Sequence, residues 1–238
     1  MSTSGTTTYS TSRNLIIEGA LRILGVTAQG ESPNSDMITE AASALNMMVK
    51  AWEADGMPLW ATKEYSVPLT ASVASYRIGV GQTINTPKPL RVLQAFLRNT
   101  STNIDIPMRV LTRSEYNLLG NKAITGQPIQ VYYDPQRVYG DLYVFPTPDS
   151  NSETNTQIHI IYQRPFEDFN SSTDEPDFPQ EWFDALKFGL ASRLAPEYGL
   201  GILERNDLKQ TALQLKQEAL NFGTEEGSLY FSVDVRDY

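Results

Sequence analysis

Few residues in this chain have the chemistry for catalysis. Its 238 residues include one histidine, His159, and no cysteine. His159 stands in QIHIIYQ, where strand alternation sets it opposite Ile158 and Ile160. A hydrolytic triad needs a nucleophile and a carboxylate converging on such an imidazole, and no G-x-S-x-G nucleophile elbow occurs. His159 therefore reads as an ordinary strand residue. Without cysteine there is no disulfide, no thiol catalysis and no Cys/His zinc centre. GVGQT (79–83) contains G-x-G but lacks the third glycine and a following helical pattern, so it reads as a turn; no Walker A sequence is present. Glu167, Asp168, Asp174, Glu175 and Asp177 concentrate negative charge without the alternating ligands and central glycine of a calcium loop. They read as a solvated linker. Tyr132, Tyr133 and Tyr143 could stack on sugars or bases, although aromatic strand residues more often form core or cross-strand pairs. No catalytic, cofactor or metal site is expected, and the chain does not read as an enzyme.

Charge and hydropathy narrow the classes further. A net charge of −9 argues against passive nucleic-acid binding, which depends on Lys and Arg meeting phosphate. An acidic wall can still line a passage through which DNA slides without sticking. No apolar run approaches the eighteen or so residues of a membrane span. The opening MSTSGTTTYSTS lacks the basic start and apolar centre of a secretory signal, and residues 1–11 read as a flexible polar arm.

The elements follow from periodicity. SRNLIIEGALRILGV places Leu15, Ile16, Ala20, Leu21 and Ile23 or Leu24 at helical spacing, with Ser12 as N-cap and Gly25 as stop. DMITEAASALNMMVKAWEAD aligns Ile38, Ala41, Leu45, Met48 or Val49 and Trp52, ending at Gly56. Over 62–164 the period shifts toward 2, with candidate strands EYSVPL, SYRI, LRVLQAFLR, IPMRVL, IQVYYD, DLYVFP and QIHIIYQ. Between the fourth and fifth, TRSEYNLL is a short helix with a Thr112/Glu115 capping box. A third long helix starts near Pro179 and lines up Phe183, Leu186, Leu190 and Leu194 beside Trp182, until Pro196 ends or kinks it. LERNDLKQTALQLKQEALNF is the fourth, with Leu208, Leu215 and Phe222 in heptad spacing and Leu203, Ala212 and Ala219 alongside. It is polar enough to lie on a surface or line a passage, with Glu204, Asp207 and Glu218 as candidate channel acids. After Gly223 the tail alternates Leu229, Phe231, Val233 and Val235, as a strand that pairs with another chain does.

The expected fold is α+β: a bundle of about four helices (12–61 and 165–222) with an inserted antiparallel β domain (62–164) and extended terminal arms (1–11 and 223–238). Trp52, Trp182, Phe183, Leu186, Leu190 and Leu194 are its expected bundle packing.

Two segments carry a family likeness. ALNMMVKAWEADGMPLWA (44–61) resembles the second helix and exit turn of head-to-tail adaptors of short-tailed bacteriophages, also called tail tubular protein A or head completion proteins. FPQEWFDALKFGLASRLAPEYG (178–199) resembles their third helix, with Pro179, Trp182, Ala185, Leu186, Leu190, Ala191, Leu194 and Ala195 at matching places. The order of elements fits too, the β-rich region closing with LYVFPTP and IHIIYQRP. The likeness covers most of the chain by layout, but only about twenty residues specifically, and these are packing motifs. It implies a structural virion protein of the tail or neck, made in the host cytoplasm and needing no cofactor. A twelve-fold ring of copies would sit under the portal protein, extend the DNA channel for ejection and offer a surface to the tail nozzle, with tail fibres as further partners. DNA would pass without specific binding, and no membrane is involved. Leu229, Tyr230, Phe231 and Val233 would anchor the tail on the portal. Two expectations compete with it: a carbohydrate-binding or carbohydrate-degrading virion protein that uses the aromatic strands and linker carboxylates, and a monomeric bacterial scaffold domain with no phage role.

Overall fold

The computed structural model describes residues 4–28, 30–55 and 59–223, and the chain divides into two compact units: 1–54 with 168–238, and 55–167. The second unit is built on seven strands: β1 (Thr62–Pro68), β2 (Ser75–Ile78), β3 (Arg91–Asn99), β4 (Asp105–Leu111), β6 (Gln130–Pro135), β7 (Gly140–Phe145) and β9 (Thr156–Gln163). They form one curled sheet, a half-barrel, in the order β1-β9-β3-β4-β6-β7-β2. Two-residue strands β5 (Thr125–Gly126) and β8 (Thr147–Pro148) pair separately.

Alternation decides what each strand buries. Val67, Ala95, Leu97, Val131, Leu142, Val144, Ile158 and Ile160 all point to one face and make its core. Tyr133 joins them through a close approach at Gly140. Its hydroxyl donates to the Pro89 carbonyl at 2.6 Å, and its ring fills the space a Cβ on Gly140 would need. Pro68, which cannot donate to a ladder, lies on the edge strand β1.

The expectation of a helical bundle with an inserted antiparallel β domain is wrong. The sheet is the principal element, and it is mixed: β4 and β6 run parallel, Val110 opposite Val131. The cause lies in the connection between them. Helix α3 (Arg113–Asn117) carries the expected capping box, Thr112 accepting from the Glu115 backbone and the Glu115 side chain accepting from Thr112. This helix and the stretch to residue 129 form a crossover, and a crossover lets the next strand run in the same direction as the last. A sixth helix, α4 (Ser150–Asn155), capped by Asp149, precedes β9.

The first unit holds the long helices α1 (Arg13–Ile23), α2 (Ser35–Asp55), α5 (Phe183–Leu194) and α6 (Ile202–Phe222). Ser12 caps α1 by accepting from Leu15 N–H. Its buried face is Ile16, Ile17, Ala20 and Leu21, rotated from the expected one, so that Leu15 is 53% exposed. Helix α5 buries Ala185, Leu186, Leu190, Ala191 and Leu194 and stops before Pro196, where the chain turns through Gly199 at φ 72°. The α5 backbone comes so close to α2 that a Cβ on Gly189 would lie 2.8 Å from the Trp52 ring. Trp182, 4% exposed, sits 6.0 Å from Trp52, ring centre to ring centre. Phe183 is only half-buried and faces Tyr9 of the N-terminal arm at 6.1 Å.

Part of the expected solvated linker is tightly held instead. Asn46 of α2 clasps the backbone of Phe169, donating to its carbonyl at 3.0 Å and accepting from its N–H at 2.9 Å. Asp174 accepts from the N–H groups of Asn170 and Ser171, and its own carbonyl accepts from Arg13 N–H at 2.8 Å. Phe169 is buried, and Asp168 pairs with Lys50 at 3.0 Å.

Candidate functional site

Three places could serve function: the outer face of the sheet, the cleft under the N-terminal arm, and α6. On the sheet, the β1–β9 register sets Ser66 opposite His159, and Glu64 shares their face. His159 Nδ1 lies 2.6 Å from Glu64 Oε1, and its ring stacks on Phe96 at 4.9 Å. These are the residue types of a hydrolytic triad, and only register could have found them, since Glu64 and Ser66 are nearly a hundred positions from His159 in sequence. The hydroxyl is engaged elsewhere, however: Ser66 donates to Gln157 at 2.8 Å, and the buried His159 Nε2 makes no hydrogen bond. A nucleophile must give its proton to the base. This one gives it to an amide.

The aromatic candidates spend their faces on one another. Tyr132 and Tyr143 pair across β6 and β7 with ring centres 5.8 Å apart. Tyr116 from α3 covers both, at 5.0 and 5.2 Å. Burial pushes the Tyr116 and Tyr132 hydroxyl groups up from their ordinary value. Tyr133 lies on the opposite face in the core, and its hydroxyl is pushed up by burial as well. The acids of 167–177 are not gathered into a cluster: among the described residues, no three His, Cys, Asp or Glu side chains stand close enough to hold a metal ion.

The arm crosses a cleft of about 210 Å³ bordered by α1 and α5, with Tyr9 N–H donating to Gln180 at 3.2 Å. Arg22, Asp184 and Lys187 edge it; Lys187 donates to Asp184 at 2.7 Å, and Arg22 donates to the Glu18 carbonyl at 3.3 Å.

Helix α6 is the most unusual surface. At 21 residues it spans about 31 Å, yet it buries only Ala212 and Ala219, with Leu208 and Leu215 half-covered. Ile202, Leu203, Leu213 and Phe222 are 57–80% exposed. The heptad reading thus holds at Leu208 and Leu215 and fails at Phe222, which points outward. Glu204, Asp207 and Glu218 are all exposed. Glu204 also caps the helix start, accepting from Gly201 N–H at 3.3 Å, and Glu218 accepts from Gln214 at 2.8 Å. At about 100° per residue the three acids fall within about 60° of arc. Arg205, Lys209 and Lys216 fall within about 40°, on the other flank of the buried stripe. Lys216 lies over the Trp52 ring at 5.1 Å. The expected portal anchors Leu229, Tyr230, Phe231 and Val233 lie outside the described residues.

No protein-family model matches the chain, and no curated protein matches it in sequence.

Proposed function

We propose that the chain is a structural virion subunit: a head-to-tail adaptor whose copies close a ring beneath the portal of a short-tailed bacteriophage and extend its DNA channel toward the tail nozzle. The observation that carries this reading is α6, a helix of 21 residues that leaves Ile202, Leu203, Leu213 and Phe222 in solvent. An isolated subunit gains nothing from exposing large apolar side chains along a whole helix, and such a surface marks an assembly contact. The net charge of −9 supports a channel component, because an acidic ring repels the phosphate backbone and keeps DNA from sticking. The helical segments that resemble the adaptor family supply the buried Trp182, Leu186, Leu190 and Leu194, with Trp182 packed against Trp52.

The test is reconstitution. Full-length protein mixed with a purified portal ring should co-sediment and saturate at about one copy per portal subunit. A variant lacking residues 224–238 should stay folded and lose stable attachment, since the alternating Leu229–Val235 segment supplies the docking strand in this reading. Full attachment of the truncated protein would remove the tail from the account.

A further inference from the structure

The two flanks of α6 are opposite in character. One carries Glu204, Asp207 and Glu218, with Phe222 at its end. The other carries Arg205, Lys209 and Lys216, with Ile202 and Leu213 beside them. Their heights along the helix match: Glu204 with Arg205, Asp207 with Lys209, and Glu218 with Lys216 differ by no more than about 3 Å of rise. From these positions we infer that α6 is a self-complementary seam, on which the acidic flank of one copy receives the basic flank of α6 from a second copy, the two helices parallel and unshifted.

Charge selects parallel over antiparallel pairing of the two helices. An antiparallel two-fold dimer through α6 sets the same flank against itself, acid on acid or base on base, whereas a parallel two-fold pair through the outer ridge would match acid to base but close at two copies. Parallel, head-to-tail pairing places each acid beside a base and leaves one flank of every copy open for the next, which generates a ring or a filament. Of the exposed apolar residues, Phe222 accompanies the acids and Ile202 and Leu213 accompany the bases, whereas Leu203 stays on the outer ridge. The ridge that such a row exposes is Leu203, Gln210, Gln214, Gln217 and Asn221. The three carboxylates then meet a neighbouring copy, in place of the channel-facing role expected for them. The inference rests on the assembly reading above and names the surface that carries it.

The test uses the full-length chain alone at high concentration. Isotopically light and heavy protein are mixed and treated with a zero-length carbodiimide, which joins a carboxylate to an amine. Light–heavy hybrid peptides linking Asp207 to Lys209 and Glu218 to Lys216 are expected. Asp207→Lys and Lys209→Glu should each lower the Glu218–Lys216 hybrid yield by about tenfold through like-charge contact. The doubly swapped D207K/K209E should restore it. Residues two apart do not face each other on one helix, so direct contact between the swapped side chains within one copy does not account for restoration. Absence of hybrid peptides, or failure of the double swap to restore them, overturns the seam. Portal attachment without hybrids would leave the adaptor reading standing and remove only the seam. Hybrids without portal attachment would do the reverse.

Discussion

Gly140→Ala is a sharp test of the half-barrel core. A Cβ at position 140 would lie 2.1 Å from the Tyr133 hydroxyl oxygen and 2.4 Å from two ring carbons, well inside contact distance. The ring is 8% exposed and has little room to move away. Forcing it aside costs about 1–3 kcal/mol of overpacking. It also pulls the hydroxyl from the Pro89 carbonyl, and a buried phenol without its acceptor costs about 1–3 kcal/mol more. Replacing glycine narrows the unfolded ensemble and returns about 0.4–1 kcal/mol where the backbone is permissive. The net expectation is a loss of about 1–5 kcal/mol. Urea melts of G140A, Y133A and the double variant separate the clash from any general intolerance at the site. In the Y133A background the obstructing ring is gone, so Gly140→Ala should then cost close to nothing, a coupling of neighbours. If G140A is as stable as the parent, or costs the same in both backgrounds, the Tyr133–Gly140 contact is not as described.

Other expectations follow from particular contacts. Trp182→Ala and Leu186→Ala, at 4% and 0% exposure, should each cost about 2–5 kcal/mol in denaturant melts; shifts near zero for both would mean this face is not core. Gly189→Ala should destabilise the first unit by driving a methyl group against Trp52, seen as lost tryptophan fluorescence cooperativity, whereas Gly19→Ala should be mild because only the flexible Lys187 side chain is in the way. The Asp174 carboxyl is held below its ordinary value of 3.8 by the N–H groups of Ser171 and then Asn170. Its contribution is therefore complete above that value and lost as pH falls through the lower folded one. The Asn170 and Ser171 amide signals should shift with a midpoint below 3.8, and a midpoint at or above it would contradict the contact.

All seven strands of the large sheet fall where alternation and turn residues place them, SYRI at 75–78 most plainly, because both signals are local. The direction of β6 beside β4 was not legible, since it depends on how residues 112–129 cross and not on the strands themselves. The Glu64–His159 pair and its neighbour Ser66 depend on register across a wide gap in sequence. On α6 the pattern read as heptad packing because apolar spacing alone cannot say how many faces find a partner. Only the burial of Ala212 and Ala219, with Phe222 left out, shows that the helix meets a neighbour on one stripe. The linker likewise looked solvated by composition, while Asn46 and Asp174 hold its backbone through hydrogen bonds that composition does not encode.

The central claim is that this chain works as an assembled ring on a portal. Its most direct measurement is the mass of the complex formed when full-length protein is titrated into a purified portal ring. The account predicts saturation at a defined stoichiometry of about one copy per portal subunit, twelve on a twelve-fold portal, with the added copies imaged as a closed ring around the channel. A portal ring whose mass does not change at any protein concentration, or copies that attach singly without closing, would contradict it.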